Sequence, residues 1–420
     1  MLNPKHLRAF LVVARTGSLV RAGHSLHRAQ SAVTRAIKEL ERELACELFE
    51  RHARGVVLTA VGRLLLARVE RAFDEMESAR SDFATYRGSE RWHRNAPIFD
   101  LALSAQRLVI LVQLAEQRSM SAVAASLGIS QSAVSQTLRE IETGLGLEIF
   151  KRAPVGLFPT PLGATLALHL RRALAEIRIA EDEVRADHGD MRGTVNVGSL
   201  SLGRTRILPH ALARFMMRHP NVTVRTEEGT FDTLSRHLRE GELDFILGAL
   251  RAPEATSGFD REVVAEDLMG IVVRRGHPLA RRPSLTLADV AGASWVLPRK
   301  PAPTRDLLDA ALRARGLPEA RVQLETADLA ITLGVLLTSD FVTAVSPMLY
   351  RHEIAAGLVV VLPIVMPETR RAIGLLRRTG ATPSPAATVL MQEIREEGGR
   401  ASAAFARGWP NAPALDRVVE

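Results

Sequence analysis

A chain of 420 residues, 46% hydrophobic and 24% charged, has room for two to four domains and the composition of a folded protein. It has no uninterrupted apolar run of the roughly 18 residues a membrane helix needs, and no secretory pattern follows Met1–Lys5, so the expected location is the cytoplasm with no membrane partner. The net charge of +8 is uneven: residues 1–95 hold 17 Lys and Arg against 11 Asp and Glu, and residues 96–192 hold 10 against 11, so the N-terminal part suits contact with phosphates.

In chain order, residues 5–14 read as a helix with Leu7, Phe10, Leu11 and Val13 facing in. Gly17-Ser18 is a turn, and Ser18 caps a helix over Leu19–Leu26. A further amphipathic helix runs from about Ser31 to Glu43 and carries Gln30, Ser31, Thr34 and Arg35 on its leading face. Cys46 rules out an internal disulfide, being the one cysteine, and reads as an inert small hydrophobe. Leu48–Arg51 and Val56–Thr59 are short extended pieces around Gly55, the pattern of a small hairpin beside the helices. Thr59 then caps a long helix with Leu64, Leu65, Ala67, Val69, Ala72, Phe73 and Met76 on its apolar side, and Tyr86 to Pro97 reads as a linker.

The pattern then starts again. Gln131–Glu142 matches Gln30–Glu41 without a gap at an offset of 101 residues. The register extends to Ser18 and Ser119, Phe49 and Phe150, Arg51 and Arg152, Gly55 and Gly156, Thr59 and Thr160, and Gly62 and Gly163. Loop glycines and threonines in register mark an internal duplication. Within each copy, a short helix, a tight turn and a helix with a polar leading face form a helix-turn-helix, whose second helix suits the major groove of double-stranded DNA. The second copy also ends in a long helix, Leu162 to about Asp187, striped by Leu166, Leu170, Leu174, Ile177 and Val184. Such a seam usually pairs with its like, so we expect a homodimer or homotetramer assembled through these long helices.

From Gly193 the pattern changes to alternation of strand and helix. Strands are expected at Thr194–Ser199, Val222–Arg225, Leu243–Leu250, Leu268–Arg274, Trp295–Leu297, Phe341–Val345, Val359–Leu362 and Ala372–Leu376. Helices are expected at Leu208–Arg218, Thr230–Glu240, Arg305–Arg315, Leu329–Thr338 and Pro385–Glu397. This rhythm implies a parallel sheet with helices on both faces.

Both copies resemble the winged helix-turn-helix of LysR-type transcriptional regulators, here duplicated. The resemblance rests on Gln131–Ser135, Ile149-Phe150-Lys151-Arg152 and Thr160-Pro161-Leu162-Gly163, and in the first copy on Gln30–Val33, Leu48–Arg51 and Thr59–Gly62. The C-terminal part resembles the effector domain of that family through Gly193–Gly198, Leu208-Pro209, His219–Val222, Leu243-Asp244-Phe245 and His277-Pro278-Leu279. The resemblance implies two winged modules with linker helices, then an α/β domain like a type II periplasmic binding protein, two lobes with a ligand between them. We place the strands that cross between lobes near Gly270–Val272 and Val361–Ile364. The expected domains are winged modules at 1–62 and 98–163, linker segments at 63–97 and 164–190, an effector domain at 193–395 and a tail at 396–420.

The resemblance implies a ligand-responsive regulator, and the residues supply candidates for each contact. Arg35 can pair bidentately with guanine and Gln136 with adenine; Gln30, Ser31, Thr34, Gln131, Ser132 and Ser135 share their faces. Lys38, Arg51 and Arg54, with Arg139 and Arg152 in the second copy, read as phosphate anchors. Arg28, Arg35, Lys38, Arg42, Arg51 and Arg54 face Ile129, Gln136, Arg139, Thr143, Arg152 and Val155 in the repeat, so the first module should carry most of the electrostatic grip. Ser199, Ser201 and Gly203 follow the first strand and open a helix, and Thr304 and Arg305 do the same after Pro301-Ala302-Pro303. Two helix ends of this kind suit a small carboxylate effector. RNA polymerase is a further partner if the protein activates transcription.

We expect no catalytic residues, no metal and no cofactor. His24 and His27 lack a third ligand nearby, Gly198–Gly203 lacks the glycine spacing of a nucleophile elbow, and neither a P-loop nor a CxxC pair occurs. Two other readings stand beside the first: an architectural DNA-binding protein in which one helix-turn-helix is an interaction surface, and a solute-binding protein, which the paired helix-turn-helix modules oppose.

Overall fold

Both copies of the duplication fold alike, for the same local reasons. The first comprises α1 (Pro4–Thr16), α2 (Leu19–Leu26), α3 (Gln30–Leu44), β1 (Phe49–His52), β2 (Gly55–Leu58) and α4 (Ala60–Thr85). The second repeats it as α5 (Ala105–Gln117), α6 (Met120–Leu127), α7 (Gln131–Leu145), β3 (Phe150–Ala153), β4 (Gly156–Pro159) and α8 (Pro161–Asp187). The computed structural model describes residues 1–52, 55–86, 92–154 and 156–408, with side chains to residue 402. Two compact units result: residues 1–193 with 383–386, and the C-terminal remainder.

The in-register residues do matching work. Ser18 and Ser119 cap α2 and α6, and Thr59 and Thr160 cap α4 and α8. Each long helix starts hard against the residue that leads into its hairpin: a Cβ on Gly62 would lie 2.3 Å from the Leu48 carbonyl oxygen, and one on Gly163 1.9 Å from that of Ile149, so only glycine fits. Each hairpin is pinned to the end of its first helix, Val56 N–H donating to Gly17 O at 3.1 Å and Leu157 N–H to Arg118 O at 2.8 Å.

Glu41 and Glu142 hold the approach to each hairpin. Glu41 Oε1 accepts from Leu48 N–H at 2.9 Å, and Glu142 Oε1 from Ile149 N–H at 2.9 Å and Phe150 N–H at 3.2 Å. Burial pushes the Glu142 carboxyl up from its ordinary value, against the pull of those two donors. Glu142→Ala should therefore cost about 1–3 kcal/mol by stranding the two N–H groups, while Glu142→Gln, which keeps an acceptor and drops a poorly solvated charge, should cost much less. Thermal unfolding of the two variants checks this, and equal losses would mean that the charge carries the effect.

The two long helices pack on each other within one chain. Leu65, Val69, Ala72, Met76, Ala79 and Phe83 of α4 are fully buried, as are Leu166, Leu170, Ala173, Ile177, Ala180 and Val184 of α8. Their spacing of four and three is a heptad seam, and the offset of 101 maps each residue of one set onto a residue of the other. The seam that the sequence offers to a second chain is thus occupied by the other half of the same chain, which corrects the expected route of assembly. Ala173 fills the central slot, and Leu174, counted in the stripe from sequence, is only half-buried.

The stretch expected as a linker is packed where it is described. Trp92 and Phe99 stack edge-on with Phe83, and Ala96, Ile98, Phe99 and Leu101 are buried. Residues 87–91 lie outside the described residues.

The C-terminal unit has two lobes. The first holds a five-stranded sheet in the order β6-β5-β7-β14-β8, from β5 (Gly193–Ser199), β6 (Val222–Glu228), β7 (Phe245–Ala249), β8 (Phe259–Asp267) and β14 (Arg371–Arg378). It is flanked by α9 (Ile207–Arg218), α10 (Phe231–Glu240) and α15 (Pro385–Gly408). The second lobe holds β9 (Gly270–Arg274), paired antiparallel with β12 (Thr343–Val345) and β13 (Val359–Val361), and a parallel pair of β10 (Trp295–Leu297) and β11 (Val322–Glu325). Its helices are α11 (Ala288–Ala291), α12 (Pro303–Ala314), α13 (Leu329–Thr338) and α14 (Arg351–Ala355).

The first-lobe sheet is mixed and not purely parallel: β5 and β7 are parallel, but β14 returns from the second lobe and runs antiparallel to both β7 and β8. The crossings lie at Leu268-Met269 and at residues 362–370; the expected Gly270–Val272 falls instead on β9, while the expected Val361–Ile364 covers the last residue of β13 and the start of the second crossing. The expected tail is helical at its start, since α15 runs to Gly408 with Glu397 and Ala401 buried; residues beyond 408 lie outside the described residues.

Candidate nucleic-acid interface and effector cleft

Each helix-turn-helix is closed by a left-handed residue, His27 (φ 51°) in the first copy and Gly128 (φ 64°) in the second. Beyond the turn, Gln30, Ser31, Arg35 and Lys38 are exposed and Thr34 is half-buried, its hydroxyl donating to Gln30 O at 3.0 Å. These five residues, with Glu39, line one open concavity on α3. Ala29 precedes α3 without a side-chain cap, and its carbonyl oxygen accepts from Ala32 N–H at 3.0 Å and Val33 N–H at 3.3 Å. Arg51 is exposed on β1, and Arg54 lies outside the described residues.

The second face has the same frame and different occupants. Gln131, Ser132, Gln136 and Arg139 are exposed and Ser135 is half-buried. Ser130 caps α7 and meets the Ser132 hydroxyl at 2.9 Å, while the Gln136 amide donates to Glu140 at 3.0 Å. Glu140 in turn pairs with Arg107 at 2.7 Å. Ser135, Arg139, Lys151 and Arg152 line a groove between α7 and its hairpin, shared with Glu142 and Glu148. The second face is therefore less basic and partly engaged with its own acids, whereas Arg35 and Lys38 extend from a face whose one acid, Glu39, pairs with Arg42.

In the C-terminal unit the expected effector residues separate into two groups. Ser199 is buried at the end of β5, and Gly203 packs under Leu247, where a Cβ would lie 2.8 Å from that side chain. Ser201 is exposed on a three-residue 3-10 turn and accepts from Arg204 at 3.2 Å. That turn does not run into α9, which starts only at Ile207, so the expected helix dipole behind Ser199, Ser201 and Gly203 is not there. Thr304 stands in the first turn of α12 and its Oγ1 accepts from Arg371 Nη1 at 3.3 Å. Arg305, one residue on, is 5% exposed; its Nε pairs with Asp309 at 3.2 Å, while its Nη1 is buried without a hydrogen-bond partner.

The residues that gather beside Thr304 have no local signature. Arg371 opens β14 and pairs with Asp267 at 2.8 Å; Asp267 is buried at the end of β8 and accepts the Ser346 hydroxyl from the other lobe. Burial pushes the Asp267 carboxyl up, opposed by Arg371 and Ser346. Arg251 lies over the Phe231 ring with its Nε buried and without a hydrogen-bond partner. Burial lowers the Arg251 pKa and nearby Arg371 lowers it further, against Asp232 and Asp306. Only the adjacency of strand ends from both lobes makes this cluster, and spacing along the chain does not encode it.

Among the described residues no group of His, Cys, Asp and Glu is placed to hold a metal, and no helix is long and apolar enough to cross a membrane. Comparison with known proteins bears on both halves. Residues 4–63 and 105–164 each match the model of the bacterial regulatory helix-turn-helix protein, lysR family, and residues 188–399 match the LysR substrate binding domain. HTH-type transcriptional regulator GalR of Pseudomonas putida is 44% identical over 394 residues, 94% of this chain and 97% of that one. HTH-type transcriptional regulator PcaQ of Agrobacterium fabrum is 31% identical over 301 residues, 71% of this chain and 96% of its own. Among solved structures, full-length OxyR of Pseudomonas aeruginosa superposes with a TM-score of 0.56 at 21% identity, covering 70% of this chain and 95% of that one, a likeness of fold alone.

Proposed function

Because the chain belongs to the LysR family of transcriptional regulators, with DNA-binding modules at one end and a substrate-binding domain at the other, we propose that its regulatory signal is a small organic acid held between the lobes of the C-terminal domain. The observation that carries this reading is Arg251: a half-buried cation with an unmet N–H, beside a second cation, Arg371, that is itself in contact with Thr304. A buried donor left unpaired costs free energy, and an anion arriving there removes the cost. Ser201 and Thr304 supply neutral hydroxyls for orientation, and Ser199 and Gly203 shape the floor. An effector acts as a signal only if it binds one arrangement of the protein better than another, and a seat shared by two lobes meets that condition.

The DNA contacts we assign are Gln30, Ser31, Thr34 and Arg35 on the first module and Gln131, Ser132, Ser135 and Gln136 on the second, as base-facing residues. Lys38, Arg51, Arg54, Arg139 and Arg152 are assigned to phosphates. Assembly of several chains, where it occurs, uses surfaces outside the α4–α8 seam. The protein works in the cytoplasm with the DNA, and contacts RNA polymerase if it activates.

A panel of small carboxylates, screened by thermal shift on the full chain, tests the seat. At least one should raise the melting temperature of the native protein and leave Arg251→Met unmoved, while that variant keeps its DNA affinity. A stabilising acid that acts equally on both proteins would place the seat elsewhere.

A further inference from the structure

The contacts across α4 and α8 obey a twofold relation within one chain. Arg68 Nη1 meets Glu176 at 3.1 Å, and Arg68 also pairs with Glu183. Residue 169, its equivalent in the second copy, is His169; one ring nitrogen meets Glu75 at 2.8 Å and the other Asp82 at 3.0 Å. Glu75 and Asp82 are the equivalents of Glu176 and Glu183. The flanking contacts, Arg71 to Glu176 at 3.9 Å and Arg172 to Glu75 at 3.7 Å, exchange under the same offset. A contact set in which i meets j and j′ meets i′ is what two identical subunits make about a dyad. Here both sides are one polypeptide, and the apolar seam between them is buried by the chain's own two helices.

The faces that this pair presents are not equivalent. Gln30 and Ser31 recur as Gln131 and Ser132, but Thr34, Arg35 and Lys38 become Ser135, Gln136 and Arg139. A dimer of identical chains reads the same half-site twice, so its target is an inverted repeat. We propose that a single chain of this protein reads two adjacent half-sites of unlike sequence in a fixed order. The first module selects guanine through Arg35, and the second selects adenine through Gln136. The proposal rests on the assignment of both faces to DNA, and it adds that the target has a direction and that one chain covers it.

Selection of duplexes from a random pool by the full chain, followed by sequencing and native mass measurement, tests it. The enriched site should hold two unlike halves, with one chain bound for each pair. Arg35→Gln should relax the guanine preference in one half only, by roughly 5- to 150-fold. Gln136→Arg should alter the other half only, and the double exchange should swap the guanine and adenine preferences between the halves. Both positions are exposed, so folding should be unaffected. An inverted repeat of identical halves, two chains on one pair, or both variants relaxing the same base would overturn the proposal while leaving the protein a DNA-binding regulator. A pool with no enriched sequence would remove the assignment of these faces to DNA and the proposal with it.

Discussion

Leu170→Lys is expected to unfold the N-terminal unit, and to do so equally at low and high protein concentration. Leu170 is fully buried where α8 meets α4, between Leu166 and Ala173 of the seam. Losing the leucine alone should cost about 2–5 kcal/mol, and an ammonium group with no partner in that seam adds a desolvation penalty of its own. A domain of this size is stable by roughly 5–15 kcal/mol, so the sum reaches its limit. Concentration dependence separates the two ways the seam could be used. An interface between chains gives a melting temperature that rises with concentration; one closed within a chain does not. If Leu170→Lys melts like the native protein and only loses mass in light scattering, the seam joins different chains.

Arg68→Met should be a strongly damaging change, at about 3–5 kcal/mol. The guanidinium is 1% exposed; burial lowers its pKa, but Glu183 and Glu176 outweigh that and leave it raised, so it remains charged. Without it, Glu176 is left buried with Arg71 at 3.9 Å as the nearest cation. His169→Met, at the equivalent position, should cost clearly less, because Asp82 is more than half exposed and Glu75 keeps Arg172. Replacing Arg68 and Glu176 together by methionine should recover part of the loss, since the most deeply buried carboxylate goes with its partner and only Glu183, 20% exposed, loses a contact. Chemical denaturation of the four proteins checks the order, and equal small losses for Arg68 and His169 would show that the buried network contributes little.

How much of this was legible in the sequence depended on whether the signal was local. The duplication, both hairpins, the threonine caps and the recognition helices follow from spacing alone, and α7 begins at Gln131 as its pattern implies. The apolar stripes of α4 and α8 were legible too, but a stripe has no label for its partner. A heptad seam reads the same whether it closes within a chain or between two, and only the paired contacts of residues 68, 75, 169 and 176 distinguish the cases. Strand β8 escaped notice because five of its nine residues are charged, as suits an edge strand. Arg305 was named from its position at a helix start, and its pairing with Asp309 one turn later is the part that position did not announce. The cluster of Arg251, Asp267, Ser346 and Arg371 joins four distant segments, so no window of sequence contains it.

The unlike occupants of matched positions have a genetic consequence. In an assembly of two identical chains, one codon sets both sides of the dyad, and any substitution arrives in double dose. Here residues 68 and 169 are the same place seen from either side, filled by arginine and histidine, and residues 35 and 136 differ as arginine and glutamine. On the proposed reading of two unlike half-sites, each side can drift while the other holds its grip on DNA, and the protein can acquire a new target one half at a time.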